Sequence, residues 1–259
     1  MDLGIAGRRA IVAASSRGLG LACADALAAE GVHVVINGRD AERLAAVASD
    51  LAERHGVDVV PVTADLDTAA GRSALIDACP EPDILVTNNA GPAPASFTGT
   101  DADTWAAALT ANMLGPIHLI QSVVDGMRAR GFGRIVNITS AMVTTPHPLM
   151  VPSVGARAGL TGAVKALSIE VAPDGVTVNN LLPERIDTDR QRFMADLAVQ
   201  ARGITIDEAR AEQAASIAAR RLGRPEEVGA TCAFLCSVPA AFLSGQNIHL
   251  DGGSYGGLV

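Results

Sequence analysis

Short apolar runs of strand length alternate with stretches of helical periodicity along almost the whole of this chain, and few folds accommodate that alternation. Strands are predicted over Arg9–Ala14, Val32–Asn37, Val57–Thr63, Asp83–Asn88, Arg134–Thr139, Val176–Leu182 and Asn247–Leu250. Helices are predicted over Leu19–Glu30, Ala41–Arg54, Ala69–Ala78, Ala102–Arg130, Ser153–Val171 and Glu226–Cys236, with a bend near Gly115-Pro116 in the long one. Strands that are apolar throughout are buried on both faces, and strands joined through helices run parallel. The expectation is an α/β chain with one domain over residues 1–259. It is a Rossmann fold, a doubly wound parallel sheet of about seven strands flanked by helices. Two polar helices, Asp189–Ala201 and Asp207–Ala219, fall outside the repeating pattern and are expected to form a substrate lid around 189–219.

Composition narrows the partners. The apolar fraction is 49% but aromatics make up only 3%, so the core must be aliphatic. A net charge of −8 offers no basic surface to nucleic acid or to an anionic membrane. No apolar run approaches the roughly 20 residues a membrane helix needs. The opening MDLGIAGRR lacks the apolar stretch of a secretory leader. Cys23, Cys79, Cys232 and Cys236 sit in aliphatic helical contexts. Cys232 and Cys236 are four apart on one helix with no His or Cys beside them, so no metal site is expected. Free thiols fit a reducing cytoplasm, and the expected partner is a small-molecule substrate.

The first strand-to-helix turn reads Ala14-Ser15-Ser16-Arg17-Gly18-Leu19-Gly20. Gly18 lets the backbone approach a pyrophosphate, Gly20 lets the helix pack closely on the sheet, and the helix N-terminus offers free N–H groups to phosphate oxygens. Ser15, Ser16, Arg17, Gly18, Leu19 and Gly20 are therefore candidate cofactor ligands. A site for NAD(H) usually ends its second strand with an acid that binds the ribose 2′-OH. Here that strand ends Asn37-Gly38-Arg39, and Arg17 and Arg39 can both reach a 2′-phosphate. Asp40 stands where it would cap the next helix. NADP(H) is favoured over NAD(H).

These features resemble the short-chain dehydrogenase/reductase family over almost the full length. The landmarks are SSRGLG at 15–20, Asp65-Leu66 after the third strand, TNNAG at 87–91, Asn112 in ANMLG, NITS at 137–140, VNNLLPERIDTD at 178–189 and SGQNIHLDGG at 244–253. The likeness is greatest to 3-oxoacyl-acyl-carrier-protein reductases, some of which also carry an Ala in the glycine loop and a Ser-x-x-x-Arg segment. The resemblance implies that Asp65 and Leu66 flank the adenine and that Asn88 and Ala90 line its ribose. It implies that Pro183, Ile186 and Thr188 border the nicotinamide, and that similar chains assemble as homodimers or homotetramers. Departures from the family pattern include Ala14 for the first glycine of the loop and Glu184 for the glycine after Pro183.

The family's catalytic set is Asn-Ser-Tyr-Lys. Asn112 and Ser140 match the first two; Ser153 and Arg157 stand where the tyrosine and lysine belong. A phenol has a pKa of about 10 and an adjacent cation can bring it toward neutrality. An aliphatic hydroxyl is a weaker acid on a shorter arm, and a guanidinium stays protonated and cannot shuttle. The single lysine, Lys165, lies eight residues beyond Arg157, roughly 12 Å along one helix. His147, between Pro146 and Pro148 in the loop after Ser140, is the leading replacement acid. His33, His55, His118 and His249 read as structural, Glu184 and Arg185 could reach the pocket edge, and Tyr255 of a neighbouring subunit is a remoter donor.

Three functions follow. One is NADP(H)-dependent hydride transfer to the carbonyl of a medium-sized apolar substrate, with a non-standard proton donor. Val143, Leu149, Met150, Val151, Phe193 and Met194 would supply the apolar wall. A second is a nucleotide-binding partner subunit without redox activity. The third is non-redox chemistry like that of halohydrin dehalogenases, which carry Arg in the lysine register but keep the tyrosine and lose the glycine loop.

Overall fold

The strands of the computed structural model, which describes residues 1–258, form a seven-stranded parallel sheet in the order β3-β2-β1-β4-β5-β6-β7. They are β1 (Arg9–Val12), β2 (His33–Gly38), β3 (Val59–Thr63), β4 (Ile84–Thr87), β5 (Gly133–Ile138), β6 (Val176–Pro183) and β7 (Asn247–Leu250). The helices are α1 (Gly18–Ala29), α2 (Ala41–His55), α3 (Ala69–Asp77), α4 (Ala102–Leu109), α5 (Gly115–Ala129), α6 (Val151–Val171), α7 (Asp189–Arg202), α8 (Ile206–Ala215) and α9 (Pro225–Cys236). The strand order reverses between β1 and β4, so the ligand crevice of such a fold opens at the C-terminal ends of those strands.

Both faces of the sheet are covered. Ala10, Val12, Val34, Ile36, Val86 and Val136 pack with α1, α2 and α9 on one side, and Ile11, Val35, Leu85, Ile135 and Val178 pack with α3, α5 and α6 on the other. The central strands are consequently buried on both faces and largely apolar, as the sequence pattern requires. β3 lies at the edge, half exposed, where Pro61 costs no inner ladder bond.

Most element boundaries fall within two residues of expectation. β1 stops at Val12 because the glycine loop begins its turn there, and α8 stops at Ala215 rather than Ala219. The long helix bends through a π-helical turn over Thr110–Leu114, just ahead of Pro116. The continuous stretch Ala102–Ala129 is long and apolar enough to cross a membrane, which corrects the expectation that no run approaches that length. Half of its apolar window is buried against the sheet and its neighbours. The free cysteines are all buried, and among the described residues no cluster of His, Cys, Asp and Glu could hold a metal.

Candidate active site

The turn after β1 is built by hydrogen bonds that no glycine pattern reveals. Ser15 is fully buried; its hydroxyl donates to the Val12 carbonyl at 2.7 Å and accepts from the Asn37 N–H at 2.9 Å. Ser15 thus shapes the loop through its hydroxyl. Asn37 ties the region together. Its Oδ1 accepts from the Ala14 N–H, and its Nδ2 donates to the carbonyls of Val62 and Ala64. A buried Asn in an apolar strand was the available sign of this role. Ser16 is half buried, with its side chain against the backbone of Gly38.

Ala14 takes a left-handed conformation, φ +47°, where the family has glycine, and Gly18 follows at φ +59°. A Cβ on Gly20 would lie 2.4 Å from the Ala14 carbonyl oxygen and 2.9 Å from Asn88 Nδ2, so only glycine fits. Asn88 Nδ2 donates to the same Ala14 carbonyl at 3.2 Å, pinning the end of β4 to the loop. α1 begins at Gly18 with no side-chain cap, which leaves its first-turn N–H groups, among them that of Leu19, available to an oxyanion. The Thr188 methyl group faces Gly18 across the gap. This cradle suits a dinucleotide pyrophosphate.

Arg39 is exposed and forms no ion pair among the described residues, whereas Arg17 pairs with Asp189 at 3.1 Å. Asp40 accepts from the Arg43 N–H and caps α2, as the sequence indicates. Asp65 is exposed and its Oδ1 accepts from the Asp67 N–H, while Leu66 is buried. Ala90 accepts from Asn112 Nδ2 at 3.3 Å. Pro183 pairs with Leu250 in the sheet, Ile186 is buried, and Thr188 opens α7. Elements far apart in sequence thus bring the expected cofactor residues to one rim of the sheet.

The catalytic register converges on the same rim. Asn112 sits in the π-helical turn, buried, with its Oδ1 making no hydrogen bond among the described residues. Ser140 Oγ accepts from the Met142 N–H at 3.2 Å, which leaves its proton free to donate to a substrate oxygen. Ser153 is buried and accepts from Arg157 Nε at 3.3 Å. Arg157 Nη1 donates to the carbonyls of Ile138 at 2.9 Å and Thr139 at 3.2 Å. Burial pulls the Arg157 pKa down to about 10, and Arg190 adds to the effect. Arg157, Asn112, Asn88, Thr87, Ile138 and Leu160 line one small cleft.

Other candidates lie further out. His147 is exposed on its loop; Nδ1 accepts from the Leu149 N–H, and Nε2 makes no hydrogen bond among the described residues. Lys165 donates to the Gly245 carbonyl, away from the cleft. Tyr255 stacks on His249 of its own chain with ring centroids 4.2 Å apart. His249 Nε2 lies 3.4 Å from the Thr144 hydroxyl, in the loop after Ser140. His249 Nδ1 lies 3.5 Å from Asp251 Oδ2. Burial raises the pKa of half-buried Glu184 and Asp251 adds to the rise, while Arg185 and His249 oppose it.

Residues 13–255 match the family described as enoyl-(acyl carrier protein) reductase. The NADPH-dependent reductase BacG of Bacillus subtilis is 33% identical over 252 residues, spanning 95% of this chain and 97% of that protein. The 3-oxoacyl-[acyl-carrier-protein] reductase of Aquifex aeolicus is 31% identical, with 98% and 100% covered. The crystal structure of L-sorbose reductase from Gluconobacter frateurii, complexed with NADPH and L-sorbose, superposes with a TM-score of 0.94 at 30% identity, covering all of both chains.

Proposed function

The chain belongs to the short-chain dehydrogenase/reductase family, and on that premise we propose that it is an NADPH-dependent carbonyl reductase acting on a medium-sized, largely apolar substrate. The observation that carries this reading is the intact cradle: Gly20 is held against Ala14 and Asn88, with an uncapped α1 N-terminus facing Thr188. NADPH, when bound, supplies the hydride. Ser140 holds the substrate carbonyl by donating its hydroxyl proton, and Arg157 keeps a fixed positive charge beside the developing alkoxide. Ser153 is not the acid in this reading, because its hydroxyl serves Arg157. The proton comes from a non-standard donor on the substrate loop, with His147 Nε2 the open titratable atom there. The names of BacG and the L-sorbose reductase structure support NADPH as the nucleotide.

Titration of the purified protein with NADPH and NADH, followed by turnover with a panel of ketones, tests the reading. NADPH binds more tightly than NADH, and Arg39→Asp weakens NADPH far more than NADH because it removes a 2′-phosphate partner and adds repulsion. Equal losses for both nucleotides contradict the assignment of Arg39. Tight NADPH binding without turnover favours the partner-subunit reading instead.

A further inference from the structure

Two guanidinium groups, those of Arg157 and Arg190, approach the loop after β4 from different helices. Arg157, on α6, is 9% exposed, and its Nη2 points at Gly91, where a Cβ would come within 3.8 Å. Arg190, on the first turn of α7, donates through Nη2 to the carbonyl of Pro92 at 2.9 Å, and its guanidinium lies over the Phe193 ring. The two cations therefore approach consecutive residues of the loop after β4. Neither forms an ion pair among the described residues, although most other arginines of this chain do. Arg157 Nε and Nη1 are committed to Ser153, Ile138 and Thr139, and its Nη2 makes no hydrogen bond among the described residues.

Buried charges in folded proteins are ordinarily paired, because desolvation of an uncompensated ion costs several kcal/mol. Two like charges left together without a carboxylate form a site that an anion completes. The depressed pKa of Arg157, from burial and then from Arg190, agrees with that imbalance, as does the burial-lowered pKa of Arg190. The phosphates of the cofactor have their own cradle at Gly18 and Thr188. Arg157 instead bonds the carbonyl of Thr139, the residue before Ser140, so it flanks the position that holds the substrate carbonyl.

We propose that Arg157 and Arg190 bind the carboxylate of an oxo-acid substrate, with α7 holding Arg190 at the loop after β4. The inference rests on the carbonyl-reductase reading and refines it. The substrate is an amphiphile whose carboxylate lies close to the reducible carbonyl and whose remainder meets the apolar wall.

The test follows NADPH oxidation with acetoacetate and pyruvate and with their methyl esters, which keep the carbonyl and remove the charge. The expected kcat/KM for the acids exceeds that for the esters by on the order of 10–100-fold, the worth of one or two charge-assisted hydrogen bonds. Arg190→Met brings the ratio near one, mainly through KM, and Arg190→Lys retains part of it. Turnover of the esters as fast as the acids overturns the anion site and leaves the reductase reading standing. A loss of NADPH affinity in Arg190→Met as large as its loss of acid preference assigns Arg190 to the cofactor and also overturns the proposal. If no compound turns over, calorimetry of acetoacetate on NADP⁺-saturated protein decides. Binding that disappears in Arg190→Met supports the anion site, and no binding overturns it, whichever way the reductase reading falls.

Discussion

At the scale of single residues, the exchange of tyrosine and lysine for Ser153 and Arg157 alters geometry as well as acidity. A lysine would present a mobile point charge, whereas the Arg157 guanidinium is clamped by two carbonyls at the end of β5 and by Ser153. The identities of these residues are legible in the sequence, but their mutual engagement is not, because it depends on where β5 ends relative to α6. Ala14 shows a second substitution at work. Its φ of +47° is a conformation that an L-residue adopts at a cost of about 1–2 kcal/mol. Ala14→Gly relieves that strain but adds unfolded-chain entropy worth roughly 0.5–1 kcal/mol. Strain relief is the larger of the two, so a net gain of up to about 1 kcal/mol is expected, a rise in Tm of roughly 1–3 °C for a chain of this size. Ala14→Val, branched at Cβ, lowers Tm. A thermal scan in which Ala14→Gly melts at or below the parent temperature sinks the strain argument.

At the scale of elements, helix ends were readable wherever side chains signal them. Asp40, Thr68 and Asp101 each accept from an N–H in the first turn of the helix they precede. The π-helical turn at Thr110–Leu114 was legible only as a bend, since nothing local to TANML distinguishes an i→i+5 turn from an α-turn. The small residues of α6 serve packing within the chain at Gly155 and Gly159, where a Cβ would meet Trp105 at 2.8 Å and the Met113 sulfur at 2.7 Å, whereas a Cβ on Gly162 would meet nothing within 4 Å. Spacing alone does not say which side of a helix faces its own sheet. The start of α9 yields a pH prediction. Glu227 accepts two hydrogen bonds from Arg221, at 2.9 and 2.7 Å, and one from the Arg224 N–H at 2.8 Å. The Arg221 contact, followed by the backbone bond, holds its pKa down to about 2. A carboxyl whose folded pKa is depressed contributes stability above its unfolded pKa and loses it as pH falls through the folded value. Glu227→Gln should therefore melt below the parent at pH 7, with the difference shrinking below pH 4.5 and gone near pH 2. Circular dichroism melts that keep a constant difference over that range contradict the role given to Glu227.

At the scale of the whole molecule, the two sides of the sheet end differently. β3 at one edge is short and carries Pro61, which offers no N–H to a further strand. β7 at the other side is short, and the segment leading into it exposes large apolar side chains: Phe234 at 37%, Val238 at 49% and Phe242 at 102%. A second candidate contact surface takes in Leu114, in the turn before α5, and Ile169 on α6, both exposed, with Gly162 of α6 having room above it. Apolar groups grouped in this way mark contact surfaces more often than scattered ones do. Two distinct self-complementary faces on one chain, each closing about its own two-fold axis, generate a tetramer with D₂ symmetry, whereas one face alone gives a dimer. Light scattering at micromolar concentration is expected to return an even-numbered homo-oligomer, a homotetramer if both faces are used. Phe242→Asp, which places a charge on the fully exposed member of the β7 face, is expected to halve the assembly and leave the fold intact by circular dichroism. A halved species would show that the β7 face closes one of the two axes and that the remaining contact belongs to α5 and α6. An unchanged tetramer would remove the β7 face from the assembly, and a stable monomer for the parent chain would remove both.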